Sequence, residues 1–443
     1  MQPKPQNRDA FQLFQAHFDQ MLNPEHELIQ LAKKIDWRRF DAAFEGSYSK
    51  DMGAPAKAIR LMVGMQYLKY TFNESDESVV DRWMENPYWQ YFCGYTHMQH
   101  ECPIHPTSLG KWRGRVGADR LAELLKETIS LALREKHLSK RDLEQIIVDT
   151  TVQEKNITYP TDSKLLYKAV VKLAEAAKSR GIWLRQSYLR VAKTASVMAG
   201  RYAHAKQYKR MRRQLRKLRT YVGRLIRDIQ RQASGMDENL TTLLSRAERI
   251  RQQQPQDSHK LYSLHEPEVQ CISKGKAHKR YEFGQKVALA TTNRSNWIVA
   301  SLMLPDNPYD GHTLAATMIT TESNTGVAIT DAYVDKGYRG HDYTGGAQIH
   351  VAGQSNQGCS RSERRRRRRR SAIEPKIGHL KSDHRMDRCF LKGLRGDAIN
   401  AVLAAAGANL RKLLRRFVFA LIRWLRDEVI RLQCPNSTCA CAA

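Results

Sequence analysis

The sequence lacks any run of eighteen apolar residues, so it predicts no helix that crosses a bilayer. Its first residues, Met1–Gln6, contain no apolar signal-peptide core. The eight cysteines are scattered along 443 residues, and a reducing compartment would keep them as thiols. We therefore expect a soluble cytoplasmic protein with no membrane partner.

Acidic residues are scarce relative to basic ones, because 45 Asp and Glu face 74 Lys and Arg and leave a net charge of +29. Such an excess indicates a polyanionic partner. Neutralising phosphates gives affinity that does not depend on base sequence, so nucleic acid is the first candidate. An anionic membrane surface is the competing polyanion. The length allows two or three domains.

The amino-terminal part, residues 1–138, is predicted to be a helical domain. Pro55–Tyr70 has the apolar spacing of a helix. Thr107–Arg115 reads as a short basic helix, and its Lys111 and Arg113 are candidate DNA contacts. Successive short helices with a basic last one are compatible with a helix-turn-helix DNA reader. A plain helical bundle explains the same pattern equally well.

Strand-like segments indicate a mixed α/β core that is interrupted after its first strand. That strand is predicted at about 145–152, and the remaining strands follow much later. The core is assigned to residues 139–162 and 257–410. The block between them, 163–256, is helical and basic, and such an insertion is tolerated because loop-closure cost grows slowly with length. Residues 411–443 are predicted to form a basic helix and tail.

The inserted block contains an apolar seam. From Tyr208 to Ile229, apolar residues recur at steps of three and four, which predicts a helical hairpin or coiled coil that could also dimerise the protein. Residues 201–231 carry twelve Lys or Arg against a single acid, Asp228. This imbalance favours contact with a DNA backbone over a coiled coil that is merely solvated.

Seven consecutive arginines, Arg364–Arg370, close a polar segment that begins near Gln354. Such a run repels itself and is not expected to be ordered alone. We therefore predict a mobile basic segment. Its position just before Glu374 suggests that it grips DNA beside an active site.

Three acidic residues occupy particular settings. Asp149 and Asp335 each close an apolar, strand-like run, and Glu374 opens a predicted helix. Two strand-end aspartates and a helical glutamate can hold two divalent ions for phosphoryl transfer, and hard oxygen ligands suit Mg²⁺ or Mn²⁺. Each residue also has an ordinary explanation. The aspartates could cap turns, and Glu374 could form a capping box with Ser371.

At these residues the chain resembles the DDE-type transposases of bacterial insertion sequences, closest to insertion-sequence family five and its family-four relatives. The segments that carry the resemblance are Val148–Val152, Asn156–Ser163, Asp310–Leu314, Asp335–Gly340 and Arg370–Lys381. Jointly these motifs are specific, whereas any one of them alone would be weak.

The resemblance implies an RNase-H-like catalytic core with Asp149, Asp335 and Glu374 as catalytic triad and as ligands of two Mg²⁺ or Mn²⁺ ions. It implies double-stranded DNA as partner, both the terminal inverted repeats of the element and the target. Because two DNA ends must be brought together, a homodimer is expected by analogy, associated with the nucleoid. The rival hypotheses are a metal-dependent nuclease without transposition and a non-catalytic DNA-binding repressor derived from a transposase.

Related enzymes carry a Tyr, Arg, Glu, Lys signature, and this sequence departs from it at one place. Arg370, Glu374 and Lys381 match the last three positions, whereas the first is Arg367 instead of tyrosine. The departure affects the tyrosine's contact with the transposon end and does not touch the metal ligands. The predicted DNA contacts of the catalytic domain are Arg367, Arg370, Lys381, Lys336 and Arg339.

Overall fold

The computed structural model describes residues 16–49, 55–232, 237–273, 280–355 and 357–433, with side chains as far as residue 416. The chain divides into two compact units. One comprises Met1–Gln153, Lys286–Leu391 and Arg395–Ala443, and the other comprises Glu154–Gln285 and Lys392–Leu394. The expectations made for residues 1–6 and for the tail at 434–443 lie outside the described residues.

The first unit begins with helices, as predicted. They are α1 (Phe18–Met21), α2 (Glu27–Lys34), α3 (Trp37–Phe44), α4 (Ile59–Thr71), α5 (Asp76–Glu85), α6 (Pro87–Phe92), α7 (Pro106–Val116), α8 (Ala118–Arg134) and α9 (Lys140–Leu143). Helices α4 and α7 correspond to the predicted apolar helix and the predicted basic helix. Ser75 forms a capping box with Ser78 and so fixes the start of α5.

The described residues form seven strands. They are β1 (Gln145–Lys155), β2 (Gln270–Ser273), β3 (Tyr281–Thr292), β4 (Ile298–Leu304), β5 (Asp331–Val334), β6 (Gln348–Val351) and β7 (Arg388–Cys389). Within the first unit the strand order is β4-β3-β1-β5-β6. Strands β1, β5 and β6 run parallel, and β3 and β4 form an antiparallel hairpin. The predicted mixed α/β core is therefore confirmed, with β1 in the middle of a mixed sheet.

The second unit contains a bundle of four helices. They are α10 (Asp162–Ser179), α11 (Leu189–His204), α12 (Tyr208–Gln232) and α13 (Glu238–Gln252). In the same unit β2 pairs with the first residues of β3, so a short strand precedes the one expected near residue 281.

Of the two structures predicted for this block, a helical hairpin or a coiled coil, the bundle contains helical hairpins, and the coiled coil is not confirmed. Helix α12 packs against α10, α11 and α13 of its own chain. The buried seam residues are Leu218, Val222, Leu225 and Ile229. Because the chain's own helices cover this part of the seam, it does not offer the expected dimer interface.

The remaining helices complete the first unit. They are α14 (Leu314–Thr325), α15 (Arg361–Arg368), α16 (Ile373–Asp383) and α17 (Gly393–Gln433), with 3₁₀ turns at Glu45–Ser47, Asp310–Thr313, Lys336–Tyr338 and Arg369–Ala372. One hydrophobic core joins the amino-terminal helices, the sheet and the middle of α17. Among the described residues, no helix combines the length and apolarity that crossing a membrane requires.

Helices α4 and α17 approach each other closely. A Cβ atom on Gly407 would lie 2.6 Å from backbone and side-chain atoms of Tyr70, so only glycine fits there. The Tyr70 hydroxyl donates to Asn400 at 2.9 Å, and Asn409 binds both the N–H and the carbonyl of Ile298. Helix α17 is therefore fixed to an early helix and to the sheet by buried polar contacts.

Arg113 does not lie where a DNA contact is needed. Its side chain is only 2% exposed, and its two terminal nitrogens donate to Asp76 at 2.8 and 2.5 Å. Lys69 donates to the same carboxylate at 2.7 Å. The prediction of Arg113 as a DNA contact is therefore corrected, because the guanidinium joins α7 to α5 inside the helical core. Lys111, on the same helix, is exposed.

The arginine run is helical, which corrects the prediction of a mobile segment. Ser360 caps α15 by accepting from the Glu363 N–H, and Glu363 pairs with Arg367 at 2.8 Å. Arg369 donates to the carbonyls of Asn293 and Arg294, each at 2.8 Å. Self-repulsion is overcome because successive helical residues point in different directions and turn carbonyls accept from the guanidinium.

Candidate functional site

Asp149 and Asp335 lie side by side on neighbouring parallel strands, Asp149 within β1 and Asp335 directly after the end of β5. Val148 pairs with Val334 in the register of β1 and β5, so the aspartate that follows each valine emerges at the same edge of the sheet. Neighbouring strands are about 4.8 Å apart, which places the two residues side by side. Each carboxylate accepts from the next backbone N–H at 2.7 Å. Asp335 thus caps the turn that follows β5, which is compatible with a role in a shared site, whereas the turn-capping explanation for Asp149 is corrected because β1 continues beyond it.

Arg370 links Asp335 to Glu374. Its guanidinium lies 3.6 Å from Oδ1 of Asp335 and donates to Oε1 of Glu374 at 3.1 Å. The Glu374 side chain is 59% exposed and Asp335 is 48% exposed, so both remain accessible. The proposed capping box is not formed, because the Ser371 hydroxyl donates to the Arg368 carbonyl instead. The third predicted acid is thus connected to the second through one arginine.

Asp310 is a further acid of this region that sequence reasoning did not single out. It accepts from the Thr150 hydroxyl and from Lys286, each at 3.0 Å. A Cβ atom on Gly337 would lie 3.2 Å from its carboxylate, so the turn after Asp335 packs directly against it. Its segment, Asp310–Leu314, carries part of the family resemblance, but the strand and helix pattern gives no signal for a contact with β1.

The pKa of Tyr338 is affected by three of these acids. Burial raises the pKa of its hydroxyl well above the usual range, and the negative charges of Asp310, Asp149 and Asp335 raise it further. The charges of three carboxylates from distant parts of the sequence thus act on one buried phenol. Tyr338 therefore stays a neutral hydroxyl beside the acidic edge of the sheet.

The predicted DNA contacts lie in different surroundings. Lys336 and Arg339 are exposed, and both lie close to Gly353, where they flank Asp335. Lys381 lines a cleft of about 580 Å³ with Arg385. Arg367 is engaged by Glu363 and by the carbonyl of Ser355, and Arg370 is engaged by the acids described above.

The donor atoms suit a hard cation, although their present arrangement binds a guanidinium. Carboxylate oxygens are the ligands that Mg²⁺ and Mn²⁺ prefer. Within the described part of the chain, no three His, Cys, Asp or Glu side chains are arranged to hold a metal ion. Arg370 neutralises Asp335 and Glu374 where a cation would otherwise do so. The residue types thus suit a divalent ion, and in this structure Arg370 bridges two of them.

Arg370→Ala is expected to bind Mn²⁺ about tenfold more tightly than the parent in the absence of DNA. Removing a positive charge about 4 Å from a cation site is worth about 1 kcal/mol or more. Isothermal titration with Mn²⁺ measures this, and Arg370→Lys, which keeps the charge, should resemble the parent. Weaker binding by Arg370→Ala would mean that the guanidinium positions the carboxylates instead of competing with the ion.

Two protein-family models match the chain. One is described as a transposase domain (DUF772) and matches residues 16–115, and the other is described as a transposase DDE domain and matches residues 335–414. The second range contains Asp335, Arg370, Glu374 and Lys381. Asp149 lies outside both ranges, so its assignment depends on its position beside Asp335 in the sheet.

A curated relative is similar to nearly half of the chain. The "uncharacterized protein ORF8 in nfe locus" of Rhizobium meliloti is 49% identical over 208 residues, which are 47% of this chain and all of that protein. No solved structure matches the chain.

Proposed function

Because this chain belongs to the DDE-type transposases of insertion sequences, we propose that it moves such an element by cutting and joining DNA. It would bind the terminal inverted repeats, cleave the strand at the end of the element and join the freed 3′-hydroxyl to target DNA. Placement near insertion-sequence families five and four is part of the same proposal.

The observation that carries this proposal is the meeting of three acids at one edge of the sheet. Asp149 within β1 lies beside Asp335, which directly follows the parallel strand β5, and Arg370 pairs with both Asp335 and Glu374. Strand order β4-β3-β1-β5-β6 supports an RNase-H-like core, in which the central strand and its parallel neighbour supply the two aspartates.

Asp149, Asp335 and Glu374 would hold two divalent ions, Mg²⁺ or Mn²⁺. When bound, such ions activate the attacking oxygen and stabilise the leaving one. The protein's own cations have a different task. Lys336, Arg339 and Arg370 lie beside the acids and would hold the phosphates that flank the scissile bond.

The proposed partner is double-stranded DNA, and the proposed assembly is a homodimer in which each chain supplies one acidic site. Exposed Lys111 on α7 and half-buried Lys381, which lines a cleft beside α16, would contact the DNA backbone. Since the buried part of the α12 seam is covered within the chain, we propose that dimerisation uses another surface. Nucleoid association would follow from DNA binding.

The test is nicking of labelled duplex DNA taken from the flanks of the coding region, with Mg²⁺ or Mn²⁺. We expect a nick at a fixed inverted-repeat boundary, absent with Glu374→Ala. Nicking without a boundary would replace the proposal by a plain nuclease. Tight binding by the parent with no nicking would replace it by a DNA-binding repressor.

A further inference from the structure

A large basic cleft lies beside the arginine helix. It encloses about 1270 Å³ and is lined by side chains of α9, of the turn between β3 and β4, and of α15. The arginines that matter here are Arg141, Arg294, Arg361, Arg364, Arg365 and Arg368. We refer to these six residues as the arginine cleft. Its members come from three separate parts of the sequence, so the arginine run alone does not form it.

The positive charges of the arginine cleft have no paired carboxylate among the described residues. All six guanidinium groups are on exposed residues, and within the described residues none of them forms an ion pair with a carboxylate. Asp142 also lines the cleft, but it serves the cap of α9 by binding Ser139. Like charges gathered without counter-charge are unfavourable, so the cleft is suited to an external polyanion.

The wall of the cleft is held in place by the neighbours of these arginines. Arg366 donates to the Tyr333 hydroxyl at 3.1 Å, and the Asn293 amide donates to the Arg366 carbonyl at 3.1 Å. Arg369 binds the carbonyls of the β3–β4 turn. Arg366 and Arg369 thus anchor α15 beside the turn, which holds Arg364, Arg365 and Arg368 at the cleft.

The cleft lies at the start of β1, and the acids lie further along β1 and β5. Gln145, the first residue of β1, lines the cleft and is paired with Asp331, the first residue of β5. Asp149 and Asp335 follow four residues later, which is about 13 Å along a strand. Adjacent phosphates of one strand are about 3.4 Å apart along a duplex, so 13 Å corresponds to about four base pairs. A phosphate in the cleft is therefore not the scissile one.

The residues that line the cleft indicate which kind of ligand it suits. Ligand pockets for small organic molecules are mostly apolar, whereas the cleft is lined by polar and charged residues. A helix that lies on a membrane needs an apolar face, and α15 is composed of arginine, serine and glutamate with no buried residue. Planar guanidinium forks match phosphate geometry.

We propose that the arginine cleft binds the phosphate backbone of duplex DNA at a place separate from the phosphodiester that the acids would cut. This inference rests on the proposed function for the identity of the polyanion. It assigns to Arg364, Arg365 and Arg368 of the arginine run a role distant from the scissile bond, whereas Arg370 of the same run reaches the acids.

The test is the salt dependence of binding to a duplex without inverted repeats, measured on the full chain without divalent metal. Each lost phosphate contact lowers the slope of log K against log salt by about 0.9. The triple variant Arg361→Ala, Arg365→Ala, Arg368→Ala should therefore lose about 2 to 3 from the slope. Alanine favours helix, so α15 is expected to persist.

The control variant removes three exposed cations elsewhere in the first unit: Lys33→Ala, Arg38→Ala and Lys57→Ala. This control should have the same slope as the parent. The variant with lysine in place of Arg361, Arg365 and Arg368 should also keep that slope, because the charge is retained. An unchanged slope for the alanine cleft triple, or an equal loss in the control, would overturn the proposal. The proposal would also be overturned if the alanine cleft triple lowered the slope for duplex RNA but not for duplex DNA. Since no cleavage is measured, absence of nicking by the parent would refute the proposed function without affecting this result.

Discussion

Asp149→Asn is expected to lower metal-dependent nicking at the inverted-repeat boundary by at least about 10²-fold. Replacing residues that only support a metal ligand already costs 10- to 100-fold in many metal sites, so loss of a direct ligand should cost at least as much. The amide keeps the shape of the side chain, and β1 is fixed by pairing with β5. The fold and the binding of DNA ends should therefore be unaffected.

The measurement is single-turnover nicking at saturating DNA, with end binding followed separately. Asp81→Asn is the matched control, because it removes one carboxylate from an exposed position on α5. The result matters because Asp149 lies outside both regions matched by family models. If Asp149→Asn nicked DNA as fast as the parent, Asp149 would not belong to the site. Asp310 would then be the candidate for the third acid beside Asp335 and Glu374.

Asp76→Asn is expected to lower the free energy of unfolding by about 3–5 kcal/mol at pH 7, because it leaves buried Arg113 without its counter-charge. Lys69, which is almost fully buried, would lose the same partner. Urea denaturation of the full chain measures this loss. Glu77→Gln, on an exposed position of the same helix, should change stability little.

The pH dependence gives an independent check. Burial alone would raise the pKa of Asp76, but the hydrogen bonds from Arg113 and the charge of Lys69 lower it to about 2. The folded protein then binds protons less readily than the unfolded chain. This carboxylate therefore stabilises the fold fully above about pH 4, and the contribution is lost as the pH falls towards 2. The stability difference between parent and Asp76→Asn should shrink as the pH falls over that interval and stay constant between about pH 4 and pH 6, below the range in which Lys69, whose pKa burial lowers to about 8, loses its proton.

Local patterns predicted the strands and helices that position the acids. The β3–β4 hairpin, the strand that carries Asp149 and the helix α7 all follow from apolar periodicity and turn residues, which act over a few neighbours. The strand that ends at Asp335 is shorter than expected, since only Asp331–Val334 is paired. Periodicity gives the type of an element better than its ends.

What sequence could not supply were contacts between distant segments. The burial of Arg113 depends on Asp76, which lies 37 positions away. The order of the arginine helix depends on carbonyls of a turn more than 70 positions earlier. Asp310 approaches β1 only through Thr150. A basic run or a lone acid carries no local signal of such partners. The interactions that hold these side chains form only when distant segments pack together.

The tight crossing of α4 and α17 sets the order in which the chain can mature on the ribosome. Tyr70 cannot reach its place against Gly407 until about 340 further residues have been made. At 5–20 residues per second this wait is about 20–70 s. During that time the apolar helix α4, nearly all of which ends up buried, has no carboxyl-terminal partner. Completion of the amino-terminal core thus awaits nearly the whole protein, and release of an early fragment would leave an aggregation-prone helix exposed.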